Sequence, residues 1–331
     1  MVSRRVIFVL FDECEILDFA GPMQAFHQAT VHGGAYEFHQ CALAPTIRTA
    51  QGLEVAGLDP LGEVSRADVV LVPGYSVRTV KLPRAAADWL RAAHARGAQV
   101  CSVCTGAFAL GEAGLLDGRQ CTTHWKLITE LQARYPAARV LGERLFVEDG
   151  RVITSAGIAS GIDLALAMIE RDLGPLVAAM VARELVVYLR RDAYHRQQSV
   201  YLDYRTHLNV GVHAVQDWVL AHPSERARLP ELASIAHMSV RNLTRAFRES
   251  TGISIHEFRT HVRLEQARTL MHDPDLTIEA IAARCGFVGG RQLRRLWRQA
   301  FGAPPSRTRS TPMPIAALAM QGNGLPESRL S

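Results

Sequence analysis

Apolar positions along the chain fall into two regimes, and the change comes near residue 212. Before it, short apolar runs alternate with longer stretches of helical spacing. Val6–Phe11 reads as a strand, and Phe19–Thr30 as a helix with Gly21-Pro22 in its first turn. Asp68–Pro73 (DVVLVP) reads as a buried strand ending at Gly74. Pro83–Arg96 reads as a helix, with Trp89, Leu90 and Ala93 at helical spacing. Gln99–Val103 is the next strand and Thr105–Ala113 the next helix. Arg144–Val147 and Arg151–Thr154 flank Glu148-Asp149-Gly150 and predict a hairpin. Two apolar helices follow, near Ile162–Glu170 and Leu176–Leu189. Strands alternating with helices predict an α/β domain with a largely parallel sheet, covered on both faces.

The polar stretch Arg190–Asn209, rich in Arg, Gln, Tyr and Asp, interrupts this pattern. Beyond it the apolar spacing is all-helical. The expected organisation is an α/β domain over 1–190, a linker over 191–212, an all-α domain over 213–310 and a disordered tail over 311–331. The last 28 residues carry five Pro and much Ser, which suits a tail better than a packed element.

Composition narrows the class. Apolar residues make up 48% of the 331, ordinary for a globular protein. The longest apolar stretch, Val152–Ile169, carries Asp163 and is poor material for a membrane span. The apolar run after Arg4-Arg5 turns acidic at once, so it reads as a strand and not a signal peptide. Six Cys at irregular spacing give no disulfide framework, which points to the cytoplasm. Net charge is +5 but uneven. Residues 1–212 hold 21 Lys/Arg against 22 Asp/Glu, whereas residues 213–310 hold 15 Arg, no Lys and 9 acids. That asymmetry points to a polyanion partner for the helical segment. No metal-ligand spacing or phosphate-binding Gly-rich loop is present, so no cofactor is expected.

The basic segment repeats itself. Residues 230–252 and 280–302 match at an offset of 50: Arg241 with Arg291, Leu243 with Leu293, Arg245 with Arg295, Phe247 with Trp297, Gly252 with Gly302. Each copy has a short apolar helix pattern, with Leu232 and Ile235 in the first and Ile278 and Ile281 in the second. A break follows, at His237-Met238-Ser239 and at Cys285-Gly286-Phe287, and then an Arg-faced helix. Helix, tight turn and basic helix is the layout of a helix-turn-helix, here expected over 230–251 and 278–301. Double-stranded DNA is then the expected partner, since Arg can pair bidentately with guanine.

The stretch Leu229–Arg309 resembles the AraC/XylS family DNA-binding domain, through LPELASIAHMSVRNLTRAFRESTGISIHEF, RLEQARTLM, TIEAIAARCGF and FGAPPSRTR. The resemblance implies base-facing positions at Arg241, Thr244 and Arg245 in the first unit. In the second unit it implies Gly290, Arg291, Arg294 and Arg295.

In the first domain, QVCSVCTGA reads as strand, sharp turn and helix, with Cys104 at the turn. This is a cysteine nucleophile elbow, where helix N-terminal amides favour a thiolate. His124 in TTHW and Asp18 in ILDFAGP are its candidate partners. These residues, with VLVPG, SVCTGAFALGEAGLLDGR and ITSAGIASGIDLAL, resemble the glutamine-amidotransferase-like superfamily, which includes PfpI/ThiJ-type peptidases and isonitrile hydratase. The fold implied is flavodoxin-like. Joined to an AraC-type domain, it looks like a GlxA-type transcriptional regulator. Such a regulator is implied to bind a small, perhaps nitrogen-containing effector near Asp18, Gly74, Cys104, Thr105 and His124. It is also implied to dimerise and, as an activator, to engage RNA polymerase. Peptidase members have His directly after the Cys, where this chain has Thr105, and a second Gly often stands where it has Tyr75. The expectation is a sensor without turnover. The alternative is a bifunctional protein whose first domain is a Cys-dependent hydrolase or hydratase.

Overall fold

In the computed structural model the described residues are 3–187, 191, 193, 197, 204–271, 273, 275–302 and 304–306. The chain forms two compact units, Met1–Gln197 and Gln198–Met313. The parts of the expected linker at 192, 194–196 and 198–203, and the expected tail, lie outside the described residues.

The first unit is built on a six-stranded sheet. Its chain order is β1 (Arg4–Val9), α1 (Ile16–Val31), β2 (Tyr36–Cys41), β3 (Thr46–Arg48), β4 (Glu54–Ala56), β5 (Val69–Val72), α2 (Arg84–Ala95) and β6 (Gln99–Val103). Then come α3 (Gly106–Glu112), β7 (Gln120–Cys121), α4 (Ile128–Arg134), β8 (Arg139–Val140), β9 (Phe146–Asp149), β10 (Val152–Ser155), α5 (Ser160–Leu173) and α6 (Pro175–Glu184). The sheet order is β2-β1-β5-β6-β10-β9. Every pairing in it is parallel except β10 with β9, the expected hairpin, which turns at Gly150 with φ 65°. β5 and β6 are buried at every position, so both their faces are covered; β5 (VVLV) reads as a continuous apolar run, and β6 (QVCSV) buries Gln99 and Ser102 as well. Helices α1, α5 and α6 pack together as one group, and α2 and α3 as another. One hydrophobic core, including Phe8, Phe26, Leu71, Leu90 and Phe108, joins sheet and helices.

Several boundaries differ from the sequence reading. α1 starts at Ile16, so Pro22 lies inside the helix and not in its first turn. Having no N–H, Pro22 leaves the Asp18 carbonyl without its intrahelical donor. α6 ends at Glu184, with Val186 at φ 54°. β2 was not foreseen: its half-polar sequence YEFHQC suits an edge strand with one mixed face. The two-stranded pairs β3-β4 and β7-β8 are too short to show a period.

The described helices of the second unit are α7 (Val210–Ala221), α8 (Leu229–Ile235), α9 (Val240–Thr251), α10 (Ile255–Met271), α11 (Ile278–Arg284) and α12 (Gly290–Phe301). α7 begins before the expected linker boundary, capped by the Asn209 side chain. Two small cores share α10. Its first half gives Ile255, Phe258 and Val262 to a core with Val215, Leu232, Leu243 and Phe247. Its second half gives Leu264, Ala267 and Met271 to a core with Ile281, Leu293 and Trp297. A single helix therefore fixes the two halves of this unit to each other. No helix among the described residues is long and apolar enough to cross a membrane.

Candidate functional site

The second unit carries the repeat in three dimensions. Exposed, half-buried and buried positions recur almost residue for residue between 241–250 and 291–300, the one difference lying at Asn242 and Gln292. Leu243 and Phe247 are fully buried in the first copy, as Leu293 and Trp297 are in the second. Truncating such an anchor costs about 2–5 kcal/mol in a packed core. Both basic helices end at a left-handed glycine, Gly252 at φ 77° and Gly302 at φ 67°. Arg241, Thr244, Arg245, Arg291, Arg294 and Arg295 are all exposed.

The offset of 50 holds only for these helices. In the preceding halves it is 49: buried Leu232 and Ala233 correspond to buried Ile281 and Ala282. The turn residues His237 at φ 52° and Gly286 at φ 74° correspond in the same way. Leu232 therefore pairs with Ile281 and not with Ala282, and the second turn is one residue longer. That extra residue changes the helix start. Ser239 Oγ caps α9 by accepting from Asn242 N at 3.2 Å. Gly289 precedes α12 and gives it no side-chain cap, and Gln292 Oε1 instead accepts from Val288 N at 2.8 Å.

Two expected base-facing positions are otherwise employed. Gly290 is buried, and a Cβ there would lie 2.6 Å from Glu279 Oε1 and 3.2 Å from Arg294 Nη1. Arg294 Nη2 donates to Glu279 Oε1 at 3.0 Å. So Gly290 lies directly under the ion pair of Arg294 with Glu279. This exposed pair competes with any contact that Arg294 makes to a base.

In the first unit, Cys104 lies at the elbow between β6 and α3 with φ 56°. A non-glycine residue there stores roughly 1–3 kcal/mol of strain. The surroundings hold it: its N–H donates to Ala156 O at 2.7 Å, and its carbonyl accepts from Thr123 Oγ1 at 2.8 Å. Asp18 and Thr105 converge on it across Gly74. A Cβ on Gly74 would meet Asp18 Oδ2 at 2.4 Å, Thr105 Oγ1 at 2.8 Å and Cys104 Cβ at 3.0 Å, so only glycine fits. Gly74 N donates to Asp18 Oδ2 at 2.9 Å, and Tyr75 N to Thr105 Oγ1 at 2.8 Å.

The electrostatics differ from the expected thiolate. Burial, with the Asp18 carboxyl next, pushes the Cys104 thiol up, and the Thr105 amide only partly offsets them. Burial also raises Asp18 to about 7, against the Gly74 hydrogen bond that lowers it. Two buried acids side by side favour the protonated forms. Among the described residues no hydrogen bond joins His124 to the thiol. Its ring lies against Gly157, whose Cβ would come within 2.9 Å of Cδ2, and its Nδ1 accepts from Lys126 N at 3.4 Å. Burial, and then Lys126, lowers its pKa. Cys101 is a buried strand residue, and both it and Cys104 are free thiols. Among the described residues no group of three or more His, Cys, Asp or Glu is arranged to hold a metal.

Sequence reasoning missed Gln197. Its Nε2 donates to Thr123 O at 2.9 Å and to Thr122 Oγ1 at 3.0 Å. Through Thr123, the end of the first unit is two hydrogen bonds from the Cys104 carbonyl. Nothing local in RQQSV marks this glutamine.

Residues 4–171 match the DJ-1/PfpI family, and residues 232–311 match a helix-turn-helix domain. The chain belongs to the DJ-1/PfpI family. Within it, this chain has the regulator architecture, with an AraC-type domain behind the family domain. It is similar to the HTH-type transcriptional regulator CdhR of Pseudomonas aeruginosa, at 29% identity over 98% of this chain and 97% of that one. It is similar to the regulator GlxA of Rhizobium meliloti, at 26% over 92% and 95%. The isonitrile hydratase of Pseudomonas putida is 32% identical over 56% of this chain and 78% of that one. A crystal structure from Vibrio parahaemolyticus superposes with TM-score 0.51 at 17% identity, covering 56% of this chain and all of that one, a likeness of fold alone.

Proposed function

We propose that the chain is a cytoplasmic, sequence-specific DNA-binding transcription regulator whose first unit binds a small, perhaps nitrogen-containing effector. The observation that carries this reading is the paired Arg-faced helices, α9 and α12, fixed to one helix, α10. Arg241, Thr244 and Arg245 read bases in one major groove, and Arg291, Arg294 and Arg295 in the next. The effector site is Asp18, Gly74, Cys104, Thr105 and His124, and the hydrogen bonds of Thr123 and Gln197 are its route to the linker. The chain acts as a homodimer and as an activator that engages RNA polymerase. An effector shifts the regulator only if it binds one arrangement better than the other. Footprinting on the DNA upstream of its own and neighbouring genes tests the reading. One protomer should protect about 20 base pairs on one face of the duplex. Protection of a single groove would remove α12 from base reading.

A second reading, a Cys-dependent hydratase retained in the first unit, is favoured by the Pseudomonas putida isonitrile hydratase relative and by the preserved elbow. Assay of isonitrile turnover by the full chain separates the two.

A further inference from the structure

Between the two halves of the second unit lies a cleft of about 170 Å³, lined by Arg226, His256, Arg259, Thr260, Arg263 and Gln292 among others. Four parts of the fold meet there: the loop before α8, the first half of α10, the turn before α12 and α12 itself. The loop is seated tightly on that turn, since a Cβ on Gly286 would come within 2.5 Å of Ser224 O.

The polar lining is dominated by donors. Arg259 Nη1 donates to Ala227 O at 2.8 Å and its Nη2 to Glu225 O. Arg263 Nε donates to Pro223 O at 2.7 Å and its Nη2 to Glu225 O at 2.9 Å. These bonds hold the loop but bring no negative charge. Among the described residues no carboxylate pairs with Arg226, Arg259 or Arg263. Burial lowers the pKa of both Arg259 and Arg263, and the next causes for Arg263 are Arg259 and Arg226, two like charges. Gln292 uses its Oε1 on Val288 N, which leaves its amide N–H groups for the cleft. Arg259 and Arg263 are half-buried and Arg226 is exposed beside them; like charges held together without a counter-charge are costly, and an arriving anion relieves that cost. A guanidinium fork suits a tetrahedral oxyanion.

We propose that this cleft binds a phosphate group, and that the phosphate it takes is one of the DNA backbone, at the seam between the two helix-turn-helix units. This rests on the DNA-binding reading. Gln292 favours that source, because it follows Arg291 on the helix assigned to the groove. A phosphate bound there sets the register of both units at once and carries no sequence information.

The test uses the full chain. Arg226 makes no hydrogen bond within the described residues, so Arg226→Gln tests the site without loosening the loop. On duplex DNA the variant should lose affinity on the order of tenfold. The slope of log affinity against log salt should fall by about 0.9, equally on target and random DNA. Without DNA, inorganic phosphate at matched ionic strength should raise the melting temperature of the wild type and not of Arg226→Gln. If the salt slope is unchanged but the phosphate shift is lost, the phosphate site stands and its source is free phosphate, not DNA. If slope and shift are both unchanged, the proposal is overturned. Wild-type protein that binds no DNA sinks the regulator reading instead, and the phosphate shift still decides the cleft.

Discussion

Asp18 accepts the Gly74 amide through Oδ2 at 2.9 Å, and this bond engages a backbone donor that acyl-transfer chemistry at Cys104 would need. The next amide, Tyr75 N, is engaged by Thr105 Oγ1 at 2.8 Å. An oxyanion hole requires donors aimed at the place where charge develops, and here both point into side chains. With the thiol also pushed up by burial, neither the nucleophile nor these two amides is poised for acyl transfer. The full chain is therefore expected not to hydrolyse peptides or amides. Cys104→Ser should still bind DNA and still respond to effector, because a sensor needs the shape and polarity of the site and not its thiolate. A hydrolysis product formed by the wild type and absent with Cys104→Ser overturns this.

Asp18 should also give stability a pH dependence. Burial raises its folded pKa from 3.8 to about 7, so the folded state holds this proton more tightly than the unfolded one. The stabilisation is then fully present below about pH 4 and is lost as pH rises through about 7. The shift corresponds to about 4 kcal/mol. Asp18→Asn keeps the shape without the charge. Urea midpoints followed from pH 5 to pH 8 should fall in the wild type relative to the variant. Parallel curves would mean that Asp18 ionises normally.

Much of this was legible in the sequence where periodicity or repetition is strong. Continuous apolar runs such as VVLV announce strands buried on both faces, and the match of Leu243/Phe247 with Leu293/Trp297 announces two similar helices. Cys104, Asp18, Thr105 and Gly74 were named and do converge. What remained hidden depends on distance in space. The elbow suggests a thiolate, but desolvation outweighs the helix-terminal amides, and burial has no local signature. The close approach of Glu279 to Gly290 joins residues from two helices and has no local signature. α10 has weak amphipathic character because its two halves bury different faces in different cores.

The two units should contribute unequally to base reading. Arg245 is exposed and makes no ion pair among the described residues, whereas Arg294 is held by Glu279. Arg245→Ala is expected to cost about 1–3 kcal/mol on the target site and little on random DNA. Arg294→Ala should cost less, because breaking an exposed pair of up to about 1 kcal/mol precedes any contact. Glu279→Gln releases Arg294 and should tighten binding. Equal losses for Arg245→Ala on target and random DNA would make that residue a phosphate contact.

Gln197 offers a way to separate sensing from DNA binding. Its Nε2 donates to Thr123 O, and Thr123 Oγ1 donates to the Cys104 carbonyl, so a displacement at the elbow reaches the last residue of the first unit through two hydrogen bonds. Neither residue belongs to the second unit, and neither lies among the groups proposed to touch DNA. Gln197→Ala removes both bonds to the 122–123 segment and leaves the elbow's own hydrogen bonds to Ser155 and Ala156 in place. Each bond is worth about 0.5–1.5 kcal/mol, comparable to the 1–3 kcal/mol of a typical coupling free energy. The variant should bind DNA like the wild type without effector, and effector should still stabilise its first unit against heat. The change in DNA affinity or transcription that effector produces should shrink severalfold. If the response persists in full, the signal leaves the first unit by another route. If effector binding itself is lost, Gln197 supports the site and does not transmit from it.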